Sequence, residues 1–274
     1  MMKTRIITAV VAIGAFIPLL FLLPTVCLQI VLAFFCGVGA YELLGETKIV
    51  DKKCPFLYFS CIVAAVVPFI VGASGYNTKY LYLLAWIYMF GAFLYGVLKK
   101  DQVNFNAIAK GIFASLMVPY MFSAVLRIIN TPVYGKYLVL LPWICVWVCD
   151  STALFVGKAI GKTKLAPEIS PKKTVAGSVG GLIGAIIACA LYVIIVNAAF
   201  DLSLNIVPAL IFGAVGSTAG QLGDLAFSLI KRESALKDYG KIFPGHGGVY
   251  DRFDSITFAA SFFEIFCLYI YSII

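Results

Sequence analysis

Residues 221–254 read QLGDLAFSLIKRESALKDYGKIFPGHGGVYDRFD, and this stretch passes from an apolar run into the densest charge cluster of the chain. It holds five of the 21 Lys and Arg residues, five of the 13 Asp and Glu residues, and the only histidine, His246. Its PGHGG run is a glycine-rich turn that no apolar periodicity explains. Because an apolar chain does not need such a segment in order to fold, we interpret it as the functional site.

The composition around this stretch is that of a membrane protein. The chain has 274 residues, of which 62% are hydrophobic and 12% are charged. Soluble domains carry about 25% charged residues, and apolar runs of about 18 residues or more are typical of membrane spans. Such runs recur along the whole chain, without the alternating segments of a membrane barrel. We therefore predict an all-α polytopic membrane protein.

The apolar runs predict nine transmembrane helices, at residues 6–23, 26–44, 55–73, 80–98, 107–125, 137–156, 175–196, 204–229 and 256–274. The first resembles a signal peptide, but its apolar region is too long and no small-residue cleavage site follows, so we keep it as a span. Eighteen of the 21 Lys and Arg residues lie at one set of connections. The positive-inside rule then predicts a cytoplasmic N-terminus and a C-terminus outside.

We divide the chain into an N-terminal scaffold and a C-terminal catalytic region. Residues 1–130 contain five predicted spans that are almost free of charge, and Glu42 near the cytoplasmic end of the second span is the exception. Residues 131–274 contain four predicted spans and two cytoplasmic loops, at 157–174 and 230–255.

The sixth predicted span carries Asp150 near its cytoplasmic end. A carboxylate inside a span is costly and faces a polar cavity or a partner. Five lysines follow in the next loop: Lys158, Lys162, Lys164, Lys172 and Lys173. Two explanations for these five lysines remain open: they set the orientation of the chain in the membrane, or they bind phosphate. The next span begins with Gly177, Gly181 and Gly184, which predict a small-residue face for close helix packing.

The eighth predicted span carries a polar stripe. Its polar residues fall at i, i+4, i+7, i+11 and i+14, which places them on one helix face: Ser217, Gln221, Asp224, Ser228 and Lys231. A face of this kind does not point into lipid. We expect it to line a cavity or to meet other polar groups.

The charged loop has the donor types of a metal and polyphosphate site. Asp224 and Asp251 flank it, and Asp254 follows one turn later. A few carboxylates, together with phosphate oxygens and water, are how proteins hold Mg²⁺. The basic side chains suit a polyphosphate, and the glycines allow backbone N–H groups to approach phosphate oxygens. These groups predict metal-assisted phosphoryl or nucleotidyl transfer at the cytoplasmic surface, while His246 is equally consistent with a ligand and with a turn-stabilising residue.

The run S-L-I-K-R-x4-K-D-x-G-x3-P-G-H-G-G-x-x-D-R-F-D at residues 228–254 resembles the defining motif of the phosphatidate cytidylyltransferases, or CDP-diacylglycerol synthases. The segments QLGDL at 221–225, D-S-x-A-x-x-x-G-x-x-x-G-K at 150–162 and ISPKKT at 169–174 are also similar. The resemblance implies that CTP and phosphatidate give CDP-diacylglycerol and pyrophosphate in a Mg²⁺-dependent reaction. It also implies a cell membrane enzyme of phospholipid biosynthesis whose active site faces the cytoplasm.

The resemblance also assigns roles to residues of this chain. It implies that Asp224 and Asp251 are metal ligands, with a second cation left open. The implied catalytic set is Asp224, Asp251, Lys231, Arg232, Lys237, Asp238, His246 and Arg252. The implied substrate-binding set is Asp150, Lys162, Ser170, Lys172, Lys173, Gln221, Ser228, Gly247, Gly248 and Asp254. One position departs from the family pattern, because Ala176 stands where the family usually has a glutamate.

Partners and alternatives follow from the same features. We expect CTP, phosphatidate and membrane lipid as partners and no nucleic acid, because the basic residues sit in short loops between spans; a homodimer remains open. The alternative function is a transporter or lipid-binding protein with a polar cavity around Asp150, Asp224 and Glu264. A CDP-alcohol phosphotransferase would need the hallmark D-x-x-D-G-x-x-A-R, which this sequence lacks.

Overall fold

The computed structural model describes residues 14, 16–74, 77–132, 134–243, 245 and 247–269, and most of them are α-helical. The first half contains α1 (Thr25–Tyr41) with a π-helical turn at Glu42–Glu46, α2 (Pro55–Ser74), α3 (Lys79–Leu98), α4 (Phe105–Ile112) with a π-helical turn at Phe113–Met117, α5 (Val118–Phe122) and α6 (Ala124–Ile129). The second half contains α7 (Gly135–Leu138), α8 (Leu141–Ile160), β1 (Lys164–Ala166), β2 (Ser170–Thr174), α9 (Val175–Phe200), α10 (Ile206–Glu233) and α11 (Tyr250–Tyr269).

Seven helical stretches of the described residues are long and apolar enough to cross a membrane. They are Thr25–Glu46, Pro55–Ser74, Lys79–Leu98, Phe105–Ile129, Gly135–Ile160, Val175–Phe200 and Ile206–Glu233. These stretches coincide with the second to eighth predicted spans, so the all-α multi-pass class is confirmed. Half of the first predicted span lies outside the described residues, and α11 covers the described part of the ninth. The total of nine spans and the orientation of the termini stay predictions.

The described residues form two compact units. One combines residues of Met1–Asn130 with Glu233–Phe253, and the other combines Thr131–Arg232 with residues of Asp254–Ile274. Most of the charged loop therefore groups with the N-terminal helices, a grouping that the linear division at residue 130 did not include. The division into a scaffold and a catalytic region stays a prediction.

The core of the first unit is built on aromatic side chains from α2 and α3. Tyr88 is fully buried, its ring stacks on Phe56 and Phe59 with centroids 6.3 and 5.3 Å away, and its hydroxyl lies 2.8 Å from Ser60 Oγ. A buried phenol costs free energy unless it has a hydrogen-bond partner. The Ser60 hydroxyl therefore allows this ring to fill the core. 

In the second unit, glycines bring helix backbones into direct contact. A Cβ added at Gly177 would lie 2.7 Å from the Ala153 carbonyl oxygen, and one at Gly181 would lie 2.9 Å from that of Cys149. Both contacts join α9 to α8, as small residues do between helices in membranes. The small-residue packing face predicted from the sequence is thus confirmed, and it sets the separation of the two helices.

A short β-hairpin joins α8 to α9, in a segment that the sequence predicts only as a basic loop. Strands β1 and β2 pair antiparallel, with Lys164 opposite Thr174 and Ala166 opposite Ser170. Thr174 then acts as the N-cap of α9, because its Oγ1 accepts a hydrogen bond from the Gly177 N–H at 3.1 Å. Threonine is a favoured N-cap residue. This cap defines where the hairpin ends and the helix begins.

Candidate active site

A cavity of about 580 Å³ lies in the second unit, within the size range of small-molecule sites. Its walls come from α8, the hairpin, α9 and α10. The chargeable and amide side chains that line it are Asp150, Lys158, Lys164, Lys172, Lys173, Gln221 and Asp224. Four lysines and two carboxylates therefore face one concave surface. Such a surface can bind an anion and a cation together.

Asp224 and Lys173 form the central ion pair of this cavity. Lys173 Nζ lies 2.6 Å from Asp224 Oδ2, and the two side chains are 26% and 28% exposed. Ser228, one turn later on α10, donates a hydrogen bond to Asp224 Oδ1 at 3.3 Å. Partly exposed ion pairs contribute only about 0–1 kcal/mol to stability. The ion pair therefore contributes little to folding, and its two charged groups remain accessible to a ligand in the cavity.

Gln221 connects three helices beside that ion pair. Its Oε1 accepts a hydrogen bond from the Ser178 hydroxyl, and its Nε2 donates to the Ser178 carbonyl at 3.2 Å and to Cys149 Sγ at 3.4 Å. Two members of the predicted polar stripe, Gln221 and Asp224, thus line the cavity, as a polar face within a membrane helix requires. Ser217, in contrast, is fully buried and donates to the Ala214 carbonyl of its own helix at 3.0 Å.

The hairpin that carries the lysines is anchored at both ends. The Val175 N–H donates to the Thr163 carbonyl at 3.0 Å, and Arg232 Nε donates to the Ile169 carbonyl at 3.2 Å. Arg232 lies in the last turn of α10, where a cation also stabilises the helix dipole. Arg232 thereby links the end of α10 to the turn of the hairpin. The side chains of β1 and β2 are held over the cavity as a result.

The structure changes which lysines of this loop belong to the cavity. Lys172 and Lys173, both predicted to bind substrate, line it, whereas the exposed Lys162 is not among the lining residues. Lys158 and Lys164 line it instead. These two lysines were noted above as part of the basic loop but were not predicted to be site residues. For Lys164 the missing signal was the hairpin, because its pairing decides which side chains face the helices, and for Lys158 it was the packing of the last turn of α8.

Three acidic residues of the second unit interact electrostatically near the cavity. Asp254 is half-buried and precedes the predicted ninth span. Its pKa is raised to about 7, mainly by burial and also by the carboxylates of Asp224 and Asp150, while Lys231 acts in the opposite direction. Carboxylates that raise one another's pKa create a local negative potential. A bound cation would relieve this repulsion.

The charged loop of the first unit is closed by hydrogen bonds of its own. Asp251 Oδ2 accepts hydrogen bonds from the Tyr239 and Gly248 N–H groups, both at 2.8 Å. Phe243 and Gly247 exchange two backbone hydrogen bonds, at 3.0 and 3.2 Å. Gly247 has a φ of +90°, which favours glycine. The N–H groups of Gly247 and Gly248 thus donate inside the loop, and their predicted contact with phosphate stays a prediction.

The other predicted residues of this loop have simple placements. Lys237, Asp238 and Arg252 have exposed side chains. Pro244 and His246 lie outside the described residues, so both roles considered for His246 stay predictions. Ser170 begins β2 but does not line the cavity, and Ala176 lies in the first turn of α9.

Together, the fold and the site define a multi-pass membrane protein with a lysine- and carboxylate-lined cavity. The model of the cytidylyltransferase family matches residues 3–270. The phosphatidate cytidylyltransferase of Staphylococcus haemolyticus is 34% identical over 268 residues, covering 96% of this chain and 98% of the relative. That of Haemophilus influenzae is 32% identical over 296 residues, covering 98% and 100%. The chain belongs to the cytidylyltransferase family, a family of nucleotidyltransferases, and the resemblance inferred from the motifs is confirmed.

The carboxylates of the cavity suit a magnesium ion that binds together with a substrate. Among the described residues, no three His, Cys, Asp or Glu side chains are grouped to hold a metal by themselves. Mg²⁺ is usually held by one or two carboxylates, with substrate phosphates and water as the other ligands. Asp150 and Asp224 line one cavity beside four lysines that attract phosphate. This donor set fits such a shared site.

Proposed function

We propose that this protein transfers the cytidylyl group of CTP to phosphatidate, giving CDP-diacylglycerol and pyrophosphate. The observation that carries this proposal is the cavity in which the Lys173–Asp224 pair stands among Lys158, Lys164 and Lys172. The names of the full-length relatives supply the substrate pair. Family membership favours this enzyme over the transporter alternative.

In the proposed reaction a phosphate oxygen of phosphatidate attacks the α-phosphorus of CTP. The new P–O bond forms as the bond from the α-phosphorus to the oxygen bridging to the β-phosphorus breaks, and pyrophosphate leaves with that oxygen. Phosphatidate is already an anion at neutral pH, so the attack needs no general base. The barrier is charge repulsion between two polyanions, which fixed cations lower. Lys158, Lys164, Lys172 and Lys173 are the residues placed to do this.

Magnesium would be held by Asp224, with Asp150 facing the same cavity. When bound, the ion supplies charge neutralisation and fixes the orientation of the phosphates. Lys173 then has a second use, since on release from Asp224 its ammonium can bind a phosphate oxygen. The assignment of Asp251 as a metal ligand continues to rest on the motif resemblance alone. A second cation is left open.

The proposed setting is the cytoplasmic face of a cell membrane. A multi-pass helical protein gives the lipid substrate access from the bilayer, while CTP comes from the cytoplasm. The lysine-rich hairpin is placed on the cytoplasmic side by the positive-inside rule. The relatives named above are bacterial proteins, which supports the cell membrane as the location.

The test is release of pyrophosphate from CTP by the purified protein in detergent micelles containing phosphatidate. We expect release that requires both the lipid and a divalent cation, with CDP-diacylglycerol as the lipid product. Omitting phosphatidate or adding a chelator provides the two controls. Absence of release under every divalent cation would overturn the proposal and return attention to Ala176. Transport of a solute by proteoliposomes without turnover would instead support the alternative function.

A further inference from the structure

Glu42 is a buried acid to which the proposed chemistry assigns no role. It lies where α1 changes into the π-helical turn Glu42–Glu46, and it is only 3% exposed. Acidic side chains are seldom buried to this extent unless polar groups satisfy the charge. Its hydrogen-bond partners belong to the first unit and lie at the end of the charged loop.

Both carboxylate oxygens of Glu42 accept hydrogen bonds from the backbone at the start of α11. The Val249 N–H lies 3.0 Å from Oε1 and 2.9 Å from Oε2, and the Tyr250 N–H lies 3.3 Å from Oε2. The first N–H groups of a helix have no partner within the helix, and negative charge there also stabilises the helix dipole. Glu42 thus caps α11 from a position 207 residues earlier in the sequence.

Three glycines around Glu42 leave no space for a larger side chain. A Cβ added at Gly240 or at Gly248 would collide with the Glu42 carboxylate, and one at Gly39 would collide with the ring of Tyr250. Three glycines therefore allow the end of α1, the charged loop and the start of α11 to meet closely. This mutual fit holds the carboxylate in one place.

Glu42 and Asp251 together bind three successive N–H groups. Asp251 Oδ2 accepts from Gly248 at 2.8 Å, and Glu42 accepts from Val249 and Tyr250. Val249 and Tyr250 directly precede Asp251. The hydrogen bonds of Glu42 to these two residues therefore fix the position of the Asp251 Cα. The same segment carries His246 and Arg252, which the motif resemblance assigns to catalysis.

We propose that Glu42 is a positioning residue that holds residues 247–251, the end of the charged loop and the start of α11, in the arrangement that turnover needs. The proposal rests on the proposed cytidylyltransferase function for its kinetic part. Its structural part, the anchoring of the loop, stands independently of the substrate.

The test compares Glu42→Ala and Glu42→Gln with Glu46→Ala in the purified full-length protein. Glu46 is a matched control, because it is an acid of the same π-helical turn that pairs with Lys52 at 2.8 Å on the exposed surface. Hydrogen–deuterium exchange is followed for the peptides that contain residues 247–253 and for peptides of α9. Initial rates are measured against CTP concentration in phosphatidate micelles.

We expect Glu42→Ala to raise exchange at Val249 and Tyr250 by about tenfold, since each loses a buried hydrogen bond. Exchange in α9 should match the unmodified protein. We expect kcat to fall about tenfold or more, while the KM for CTP changes much less, because the lysine-lined cavity keeps its residues. Glu42→Gln keeps the shape and one acceptor oxygen, so it should restore part of both the protection and kcat. Glu46→Ala should change neither.

Unchanged exchange at residues 247–253 in both Glu42 variants would overturn the anchoring. Raised exchange with unchanged kcat would overturn the link to turnover. If Glu42→Ala does not fold, Glu42→Gln still decides, because exchange at residues 247–253 and a kcat that both equal those of the unmodified protein would show that the two-oxygen contact of Glu42 does not hold the loop. A protein that shows no cytidylyl transfer would refute the proposed function, while the exchange results would still test the anchor.

Discussion

At the scale of single residues, the proposed chemistry centres on the side chain of Asp224. Its two oxygens contact Lys173 and Ser228, and it faces the cavity from the middle of a polar helix stripe. The contact with Lys173 gives the carboxylate an opposite charge at 2.6 Å. Phosphate and a divalent cation can separate the two partners, because each then finds a stronger opposite charge.

Replacing Asp224 by asparagine should abolish most turnover without unfolding the protein. The substitution keeps the size of the side chain but removes its negative charge, so we expect kcat to fall by at least about a hundredfold, as for other lost electrostatic contacts in active sites. The stability change should stay within about 1 kcal/mol, because the ion pair is partly exposed. Pyrophosphate release and thermal unfolding in detergent measure the two effects.

Glu168→Gln is the matched control for that substitution. It makes the same chemical change on an exposed acid in the turn of the hairpin, which does not line the cavity. We expect its kcat to equal that of the unmodified protein. Normal turnover by Asp224→Asn would remove Asp224 from the metal and substrate site.

The structure and the motif resemblance disagree on a neighbouring lysine, and this disagreement can be measured. Lys164 lines the cavity and Lys162 does not. We therefore expect Lys164→Ala to raise the KM for CTP or phosphatidate about tenfold, through loss of a charge-assisted hydrogen bond, and Lys162→Ala to have a much smaller effect. Lys99→Ala, at an exposed site outside the cavity lining, is the control for a lost surface charge. A larger effect at Lys162 would favour the assignment from the motif.

At the scale of secondary-structure elements, the position of Asp150 relative to the hairpin depends on how closely α8 and α9 approach. Gly177 and Gly181 contact the α8 backbone directly, and Gly157 of α8 leaves only 2.9 Å between an added Cβ and Thr174 Oγ1. The two helices and the hairpin consequently pack as one piece. This close packing holds the part of the cavity wall formed by α8, α9 and the hairpin in place.

Gly181→Val should separate the two helices and lower stability. A Cβ at this position would lie 2.9 Å from the Cys149 carbonyl and 3.1 Å from Ala153 Cβ, and valine adds two further methyl groups. Overpacking of this kind costs about 1–3 kcal/mol. We expect a lower Tm in detergent and reduced turnover, because the helix that carries Asp150 moves.

Val179→Leu controls for extra side-chain volume on the same helix, since Val179 is 53% exposed. It should leave both Tm and turnover unchanged. An unchanged Tm for Gly181→Val would show that the α8–α9 contact is looser than the structure indicates.

At the scale of the whole molecule, function depends on which side of the membrane receives the lysine-rich hairpin. The distribution of Lys and Arg predicts a cytoplasmic hairpin and a C-terminus outside. An odd number of spans is needed for this arrangement. The seven candidate spans of the described residues do not decide it, because the first and last predicted spans fall partly outside them.

Epitope tags inserted after Glu168 and after Ile274 of the full-length protein test this topology. In intact bacterial spheroplasts we expect the C-terminal tag to bind antibody and the tag in the hairpin to bind only after permeabilisation. A protected C-terminal tag would indicate an even number of spans and contradict the predicted orientation.

The sequence by itself determined the class of protein, the location of the described spans and the family. These properties depend on local features, namely the length of apolar runs, the glycine spacing on α9 and a contiguous motif, so they can be read without knowing which segments meet. Even the packing role of Gly177 and Gly181 followed from their spacing alone.

Only the tertiary structure decided which side chains meet. Lys158 in the last turn of α8 and Lys164 in β1 line one cavity, because the packing of α8 and the pairing of the hairpin orient side chains that sequence spacing leaves undetermined. The contact of Glu42 with Val249 joins residues 207 positions apart. A contact of that range exists because packed helices bring distant backbone together, and no periodicity within one segment encodes it.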